Sequence, residues 1–135
     1  MSRVPMASPR GEEERARRAL AAGAIAFQVC EECGAAIWYP RTVCPACMSG
    51  ALRWARSAGR GAVHSLTTLH RAGHPDREAE LPYTVALVDL DEGIRIIGDL
   101  ADGLRIGDRV GAEVAADGVR FVSADGEPAG GADAR

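Results

Sequence analysis

From Gly59 onward, hydrophobic and polar residues follow a pattern that is typical of β-strands. Val, Ile and Thr are frequent, and Gly, Asp and Pro interrupt the segments at short intervals. The segments predicted as strands are 61–71, 83–90, 94–100, 110–115 and 119–124. Asp91-Glu92-Gly93 and Asp117-Gly118 are predicted hairpin turns between them. Five short strands and one longer polar loop, residues 72–82, predict an OB-type barrel over residues 58–124.

The first part of the chain has a helical pattern instead. Ser8-Pro9 is typical of a helix N-cap followed by proline at the first helical position, and Gly23 is the predicted stop. Residues 1–26 are therefore assigned to an N-terminal tail and helix, with residues 1–8 predicted to be disordered. Leu20 is the only large apolar residue of this helix, so the pattern fits either a solvated lead-in or an arm that docks on a partner.

Four cysteines, arranged as two Cys-x-x-Cys pairs, lie between residues 27 and 57. They are Cys30, Cys33, Cys44 and Cys47, the only cysteines of the chain. Two such turns facing each other supply four thiolates at tetrahedral spacing, the ligand set of a structural Zn²⁺. Four cysteine ligands leave no open coordination position, so the predicted site holds one zinc ion per chain and does no chemistry.

Three other uses of the cysteines are open to the sequence. Two disulfides need an oxidising compartment, and the Arg- and Glu-rich first twenty residues do not resemble a secretion signal. A thioredoxin-type redox centre uses a single Cys-x-x-Cys pair at the start of a helix. An iron centre of the rubredoxin type has the same turns, but in rubredoxins the two pairs lie far apart, whereas ten residues separate them here. Zinc is therefore preferred.

Charge and hydropathy disfavour some functional classes. The chain has 135 residues with 16 basic side chains, all arginine, and 19 acidic ones, giving a formal charge of −3. Nucleic-acid binders usually show the opposite balance. No run of eighteen apolar residues is present, so we expect a cytoplasmic protein without a membrane span. Residues 125–135 are predicted to form a disordered tail.

Several motifs, taken in order, resemble the family once described as domain of unknown function 35, or DUF35. They are Cys30-x-x-Cys33-Gly34, Tyr39-Pro40-Arg41, Cys44-Pro45-x-Cys47, Gly59-x-Gly61-x-Val63-x-Ser65-x-Thr67 and Pro82-Tyr83-x-Val85-Ala86-Leu87-Val88-x-Leu90. The resemblance runs from about Phe27 to Phe121. It implies a mainly β fold with an N-terminal helix, a rubredoxin-like zinc ribbon over residues 27–57 and a five-stranded OB-fold barrel.

The resemblance also implies a function. Members of this family are accessory subunits of thiolase-superfamily enzymes that act on acyl-CoA: thiolases, acyltransferases and lyases that cleave steroid side chains by retro-aldol chemistry. Some are fused to a hot-dog-fold hydratase. The catalytic residues are then expected in the partner, in an α₂β₂ assembly, and this chain is expected to have none. It would support assembly and acyl-CoA access.

A few residues outside the cysteines are candidates for contacts. Trp38 and Tyr39 either cover the small ribbon or form an aromatic anchor for a partner. Arg71, where the long loop begins, and Arg77, within it, are the candidate cations for a CoA phosphate. His64 and His70 would face the same side of one continuous strand.

These two histidines and His74, with Asp89, Asp91 and Asp99, are the acid–base candidates, although a structural role is favoured for them. The competing function is nucleic-acid binding, which zinc ribbons and OB-folds often perform through stacking aromatics over a basic groove. The predicted barrel has only Tyr83 and Phe121 as aromatic residues, which disfavours it.

Overall fold

The computed structural model describes residues 11–124, and the expectations for Ser8-Pro9 and for the two chain ends lie outside this range. The described residues contain one α-helix, one 3-10 helix and eight strands. They are α1 Gly11–Ala21, β1 Ile25–Cys30, β2 Ala36–Ile37, β3 Leu52–Ser57, β4 Arg60–Leu69, the 3-10 helix Pro75–Glu80, β5 Tyr83–Leu90, β6 Arg95–Leu100, β7 Arg109–Ala115 and β8 Gly118–Ser123.

The helix α1 ends at Ala21, two residues before the predicted stop at Gly23. Gly23 has φ of +85°, and the N–H of Ala24 donates to the carbonyl of Ala19 at 2.8 Å, which satisfies carbonyls of the last turn. No residue of α1 is fully buried, but Leu20 packs against the main core. Most of the helix is therefore solvated, and its one large apolar side chain is used within the chain.

The zinc-ribbon part is a three-stranded antiparallel sheet in the order β2-β1-β3. Gln28 of the central strand pairs with Ile37 on one side and with Trp54 on the other. Residues 31–35 and 38–51, which carry three of the four cysteines, connect these strands. The sheet therefore brings the two cysteine pairs to the same end of the ribbon.

The second part is the expected closed five-stranded barrel, in the order β4-β5-β6-β8-β7. The neighbours pair antiparallel except β6 and β8, which are parallel. The predicted fold is confirmed. The structure corrects details: β4 ends at Leu69 rather than Arg71, and the long loop contains the 3-10 helix, because Pro75 is preset for its first position and His74 accepts a bond from Asp76 N–H.

The ribbon and the barrel share one hydrophobic core. Ile25 and Phe27 of β1 are 2% and 4% exposed and belong to the same cluster as Val88, Val110 and Phe121 of the barrel, which are fully buried. Burying such a side chain contributes about 1.5–3 kcal/mol. The zinc ribbon has little apolar surface of its own, and it is stabilised by contact with the barrel.

One carboxylate strengthens the junction of the two parts. Glu92, in the turn between β5 and β6, accepts a hydrogen bond from the hydroxyl of Ser57 and another from the N–H of Ala58, both 2.7 Å long. These donors lie at the end of β3 and in the short connection to β4. The barrel therefore holds the connection to the ribbon through both oxygens of one side chain.

Candidate metal centre

Each cysteine pair lies in a turn of similar backbone form. In the first, the N–H of Gly34 donates to the carbonyl of Cys30 at 2.9 Å, and Gly34 has φ of +81°. In the second, the N–H of Met48 donates to the carbonyl of Cys44 at 2.8 Å, and Met48 has φ of +68°. Both turns thus place a left-handed residue four positions after their first cysteine.

Met48 is a feature that the sequence analysis missed. A left-handed conformation is uncommon for a residue other than glycine and costs about 1–2 kcal/mol. The signal was its spacing from Cys44, which equals the spacing of Gly34 from Cys30. The second turn therefore has the geometry of the first without its glycine.

The four cysteine sulfurs surround one point. All four are free thiols, and their Sγ atoms lie within 4.8 Å of one another. Cys30 and Cys47 are 3.6 Å apart, and Cys33 and Cys44 are 3.7 Å apart. Four sulfurs about 2.3 Å from a tetrahedral zinc would be about 3.8 Å apart. The residues therefore fit one tetrahedral metal ion, and no other group of three or more metal-ligating side chains was found among residues 11–124.

The backbone favours the thiolate at the first cysteine of each pair. A hydrogen bond from the N–H of Cys33 is the main cause that lowers the pKa of Cys30 from 9.0 to about 7, and one from the N–H of Cys47 is the main cause that lowers the pKa of Cys44. Metal ligation needs the thiolate. Cys30 and Cys44 are buried, whereas Cys33 and Cys47 are exposed, so the site has one inner and one outer ligand from each turn.

A buried glutamine holds the connection between the turns. Gln28 is 2% exposed, and its side chain accepts a hydrogen bond from the N–H of Arg41 at 2.7 Å and donates one to the carbonyl of Arg41 at 2.9 Å. A buried amide with both ends paired is strongly oriented. Gln28 therefore fixes the chain between the aromatic pair and the second cysteine turn.

The two aromatic candidates beside the metal site differ in exposure. Trp38 is half-buried and packs against the main core. Tyr39 is 70% exposed, as is Met48, and Val43 is also exposed. The end of the ribbon that holds the cysteines therefore carries an apolar surface, and Tyr39 is its aromatic member.

The barrel has an open groove of about 980 Å³ on the face where OB-folds bind their ligands. The long loop, β6 and the β7–β8 hairpin contribute to it. Its charged side chains are five carboxylates, Asp76, Glu80, Asp99, Glu113 and Asp117, and two guanidinium groups, Arg77 and Arg120. Counting histidine as neutral, the groove has a formal charge of −3, which is unfavourable for the backbone of a nucleic acid.

The two candidate CoA cations have different surroundings. The Nη2 of Arg77 lies 2.8 Å from Glu80 and 2.9 Å from Asp99, and its guanidinium stacks on the Tyr83 ring at 3.8 Å. The hydrogen bonds that Arg77 donates to Glu80 are the main cause that raises the pKa of Arg77. Arg71 is exposed after the end of β4. Arg77 thus joins the loop to the barrel, and Arg71 is the more accessible cation.

The acid–base candidates are used in surface ion pairs. Asp89 pairs with Arg95 at 2.6 Å, Asp91 pairs with Arg109 at 2.8 Å, and Asp99 pairs with Arg77. Hydrogen bonds from Arg95 and Arg109 lower the pKa values of Asp89 and Asp91, respectively. All three carboxylates are therefore acceptors for arginine, and the lowered pKa values make Asp89 and Asp91 poor proton donors near neutral pH.

The histidines do not form a common site on β4. The strand has a bulge between Val63 and Ser65, and His70 lies beyond its last residue, Leu69. The extra residue of a bulge changes which side the following residues face. His64 and His70 therefore do not lie on one continuous strand, and the reason for expecting them on the same side does not apply. His64 instead lies 3.5 Å from Asp89.

Comparison with known proteins assigns both parts of the chain. Residues 17–53 match the family described as ChsH2, rubredoxin-like zinc ribbon domain, and residues 54–116 match ChsH2, C-terminal OB-fold domain. Because the first match is to a zinc ribbon and contains all four cysteines, zinc is the metal of the four-cysteine site. Among residues 11–124, no helix is long and apolar enough to cross a membrane.

Individual relatives agree with this assignment. A DUF35 domain-containing scaffold protein of Methanocaldococcus jannaschii is 32% identical to this chain over the matched region. That region covers 54% of this chain and 52% of that protein's length. The 3-oxo-4,17-pregnadiene-20-carboxyl-CoA hydratase alpha subunit of Mycobacterium tuberculosis is 34% identical over a region that covers 53% of this chain and 21% of that subunit. A solved chain titled Ltp2-ChsH2(DUF35) aldolase has a TM-score of 0.72 and 28% identity, over 87% of this chain and 98% of its own. The chain belongs to the DUF35 family, with a ChsH2-type zinc ribbon followed by an OB-fold.

Proposed function

We propose that this chain is a non-catalytic accessory subunit that binds a thiolase-fold enzyme acting on acyl-CoA. The observation that carries the proposal is a four-cysteine site, which has no open coordination position once a metal is bound. The fold around it matches 98% of the solved chain titled Ltp2-ChsH2(DUF35) aldolase. Four thiolates around one zinc ion leave no position for water or substrate. The metal therefore stabilises a surface, and the chemistry belongs to a partner.

The names of the relatives support a partner enzyme of acyl-CoA metabolism. One is called a scaffold protein, one is the alpha subunit of a hydratase of a steroid-derived acyl-CoA, and one is titled as an aldolase with two named components. We propose a thiolase-superfamily enzyme as the partner, in an α₂β₂ assembly in which two of these chains flank an enzyme dimer. Lipid or steroid side-chain degradation is the metabolic setting that these names favour.

The apolar end of the ribbon is the proposed partner contact. Tyr39 is exposed at this end, and exposed aromatic residues are frequent anchors of interfaces. Replacing Tyr39 by Ala should weaken binding of the enzyme without changing the melting temperature. Trp38→Ala should weaken binding partly through loss of packing, so its effect on stability has to be measured beside its effect on affinity.

A CoA phosphate contact is proposed at the long loop, through Arg71 and Arg77. Because Arg77 already has two carboxylate partners, Arg71 should contribute more. We expect Arg71→Ala to raise the KM of the assembled complex for acyl-CoA several-fold, with Arg53→Ala on the exposed face of β3 as the matched control. Equal KM values for wild type and Arg71→Ala would remove the assignment.

The alternative, nucleic-acid binding, is disfavoured by the acidic groove on the OB-fold face. The decisive experiment is purification of the tagged full chain from its source cells, with the bound protein identified by mass spectrometry and the bound nucleic acid measured. A stoichiometric thiolase-fold enzyme that turns over acyl-CoA, beside an inactive isolated chain, is the expected result. Bound nucleic acid without an enzyme, or turnover by the isolated chain, would contradict the proposal.

A further inference from the structure

We propose that the outer edge of β4, residues 65–69, binds an extended strand of the partner enzyme through backbone hydrogen bonds. This inference rests on the proposed function and specifies one of its contact surfaces. We call these five residues the β4 edge.

The β4 edge has a strand on one side only. On one side, β5 pairs with β4 from Gly61 to Leu69, interrupted only by the bulge between Val63 and Ser65. On the other side, β7 pairs with residues 60–62 alone, and two further backbone bonds join Val63 to Gly107 and Asp108. Beyond Val63, no strand among residues 11–124 continues this ladder. The barrel is therefore closed at the start of β4 and open along its second half.

The open side presents unpaired backbone groups. In an antiparallel pair, every second residue directs its N–H and C=O away from its partner, and side chains of these non-hydrogen-bonded pairs lie closer together. Thr68 lies opposite Thr84, and their hydroxyl oxygens are 3.0 Å apart. Because these side chains are so close, Thr68 and Thr84 form a non-hydrogen-bonded pair, and the N–H and C=O of Thr68 point outward, away from β5. Leu66, two residues earlier, points its N–H and C=O in the same outward direction. Within residues 11–124, nothing else bonds to these two N–H and two C=O groups.

The sequence of the β4 edge favours strand pairing. Ser-Leu-Thr-Thr-Leu contains no lysine, proline or acidic residue, which are the usual devices that keep an edge from pairing. The bulge lies before Ser65 and leaves the following residues in regular register with β5. Ile106 is 65% exposed and precedes Gly107, whose N–H donates to Val63 at the near end of the edge. An added strand would thus find open backbone groups and an apolar side chain next to them.

The partner enzyme is the occupant that these observations favour. Two outward residues offer only four backbone bonds, whereas a stable interface buries about 1,200–2,000 Å². The edge alone is too small to hold two copies of this chain together, and it fits one part of a larger interface. The chain's own residues 125–135 contain three glycines and a proline and no β-branched or aromatic residue, which makes them poor strand formers.

Amide hydrogen exchange of the full-length chain, free and bound to the co-purified enzyme, tests the proposal directly. In the free chain, the amides of Leu66 and Thr68 should exchange faster than those of Thr67 and Leu69, whose N–H groups point toward β5. In the complex, Leu66 and Thr68 should become protected to a similar degree. Absence of this added protection would overturn the proposal.

Three variants test the edge by affinity. Thr68→Pro removes an outward N–H that no strand of the free chain uses, whereas Thr68→Val keeps the backbone amide and the β-branched shape. We expect Thr68→Pro to weaken enzyme binding about tenfold or more, and Thr68→Val by no more than about threefold. Ile106→Asp, on an exposed side chain, should also weaken binding with an unchanged melting temperature. Equal affinities for all three variants and wild type would overturn the proposal.

Other occupants give different results. Protection of Leu66 and Thr68 that rises with chain concentration, without enzyme, would identify a second copy. Protection in the free chain that disappears on truncation after Ala124 would identify the chain's own tail. Either result overturns the proposed occupant. If no enzyme binds, the proposed function fails and this inference fails with it; if an enzyme binds and the edge stays unprotected, only this inference fails.

Discussion

Gly61 lies where β4 has neighbours on both sides, and the barrel closes around it. It pairs with Leu90 of β5 and with Val110 of β7, and it is buried. A Cβ at this position would lie 2.8 Å from the carbonyl carbon of Asp89 and from the Cα of Leu90, and closer still to the Asp89 oxygen. Ordinary contact begins near 3.4 Å. The obstacle is backbone on a paired strand, so no side-chain rotation can remove the clash.

We therefore expect Gly61→Ala to lower the free energy of unfolding by about 3 kcal/mol, the upper end of the cost of overpacking. For a chain of this size the melting temperature should fall by about 10 °C. The assay is thermal unfolding followed by circular dichroism, with zinc content measured to check the ribbon. Gly111→Ala is the matched control, because its Cβ would meet no atom within 4 Å. A melting temperature for Gly61→Ala within about 2 °C of wild type would refute the steric reasoning.

Three further predictions concern the metal, the junction and pH. Cys44→Ser, or a strong chelator, should abolish stoichiometric zinc binding and unfold the ribbon, because a structural zinc site contributes about 10–16 kcal/mol of apparent binding free energy. An NMR spectrum that shows the ribbon still folded in the metal-free protein would contradict this prediction. Glu92→Ala should destabilise the protein by about 1–3 kcal/mol in urea unfolding through loss of its bonds to Ser57 and Ala58, and an unchanged midpoint would show that the junction does not need them. The hydrogen bond from Arg109 lowers the pKa of Asp91 in the folded state from its ordinary value of 3.8. The Asp91 carboxylate therefore stabilises the fold above pH 3.8, and this stabilisation is lost as the pH falls through the lowered pKa. Asp91→Asn should therefore cost at most about 1 kcal/mol at pH 7 and almost nothing in strong acid, and a cost that does not change with pH would contradict the ion-pair explanation.

Features encoded by short-range pattern were predictable. The spacing of the cysteines identified the four ligands, because two Cys-x-x-Cys turns determine ligand number and type without knowledge of the fold. The hairpin turns followed from Asp and Gly at positions that need unusual backbone angles, and β5 has the predicted bounds, Tyr83–Leu90. The order of strands and turns indicated the barrel for the same reason.

Features that depend on pairing between distant segments were not predictable. The bulge near His64 separates two histidines that simple alternation would place on one side. The charges of the OB-fold face gather from the long loop, β6 and the β7–β8 hairpin, and the pairing of Arg77 with Asp99 appears only when loop and strand meet. Nothing local distinguishes these carboxylates and guanidinium groups from ordinary surface charge.

The sequence by itself determined the metal ligands, the strand segments and the order of the two parts, because each depends on residue type and spacing over a few positions. The tertiary structure alone decided which strand edge remains open and that β1 shares the core of the barrel. It also decided that Gly98 must lack a side chain, since a Cβ there would lie 2.6 Å from the Val119 carbonyl oxygen. These properties depend on register and on contacts between residues far apart in the chain, and local periodicity carries no information about either.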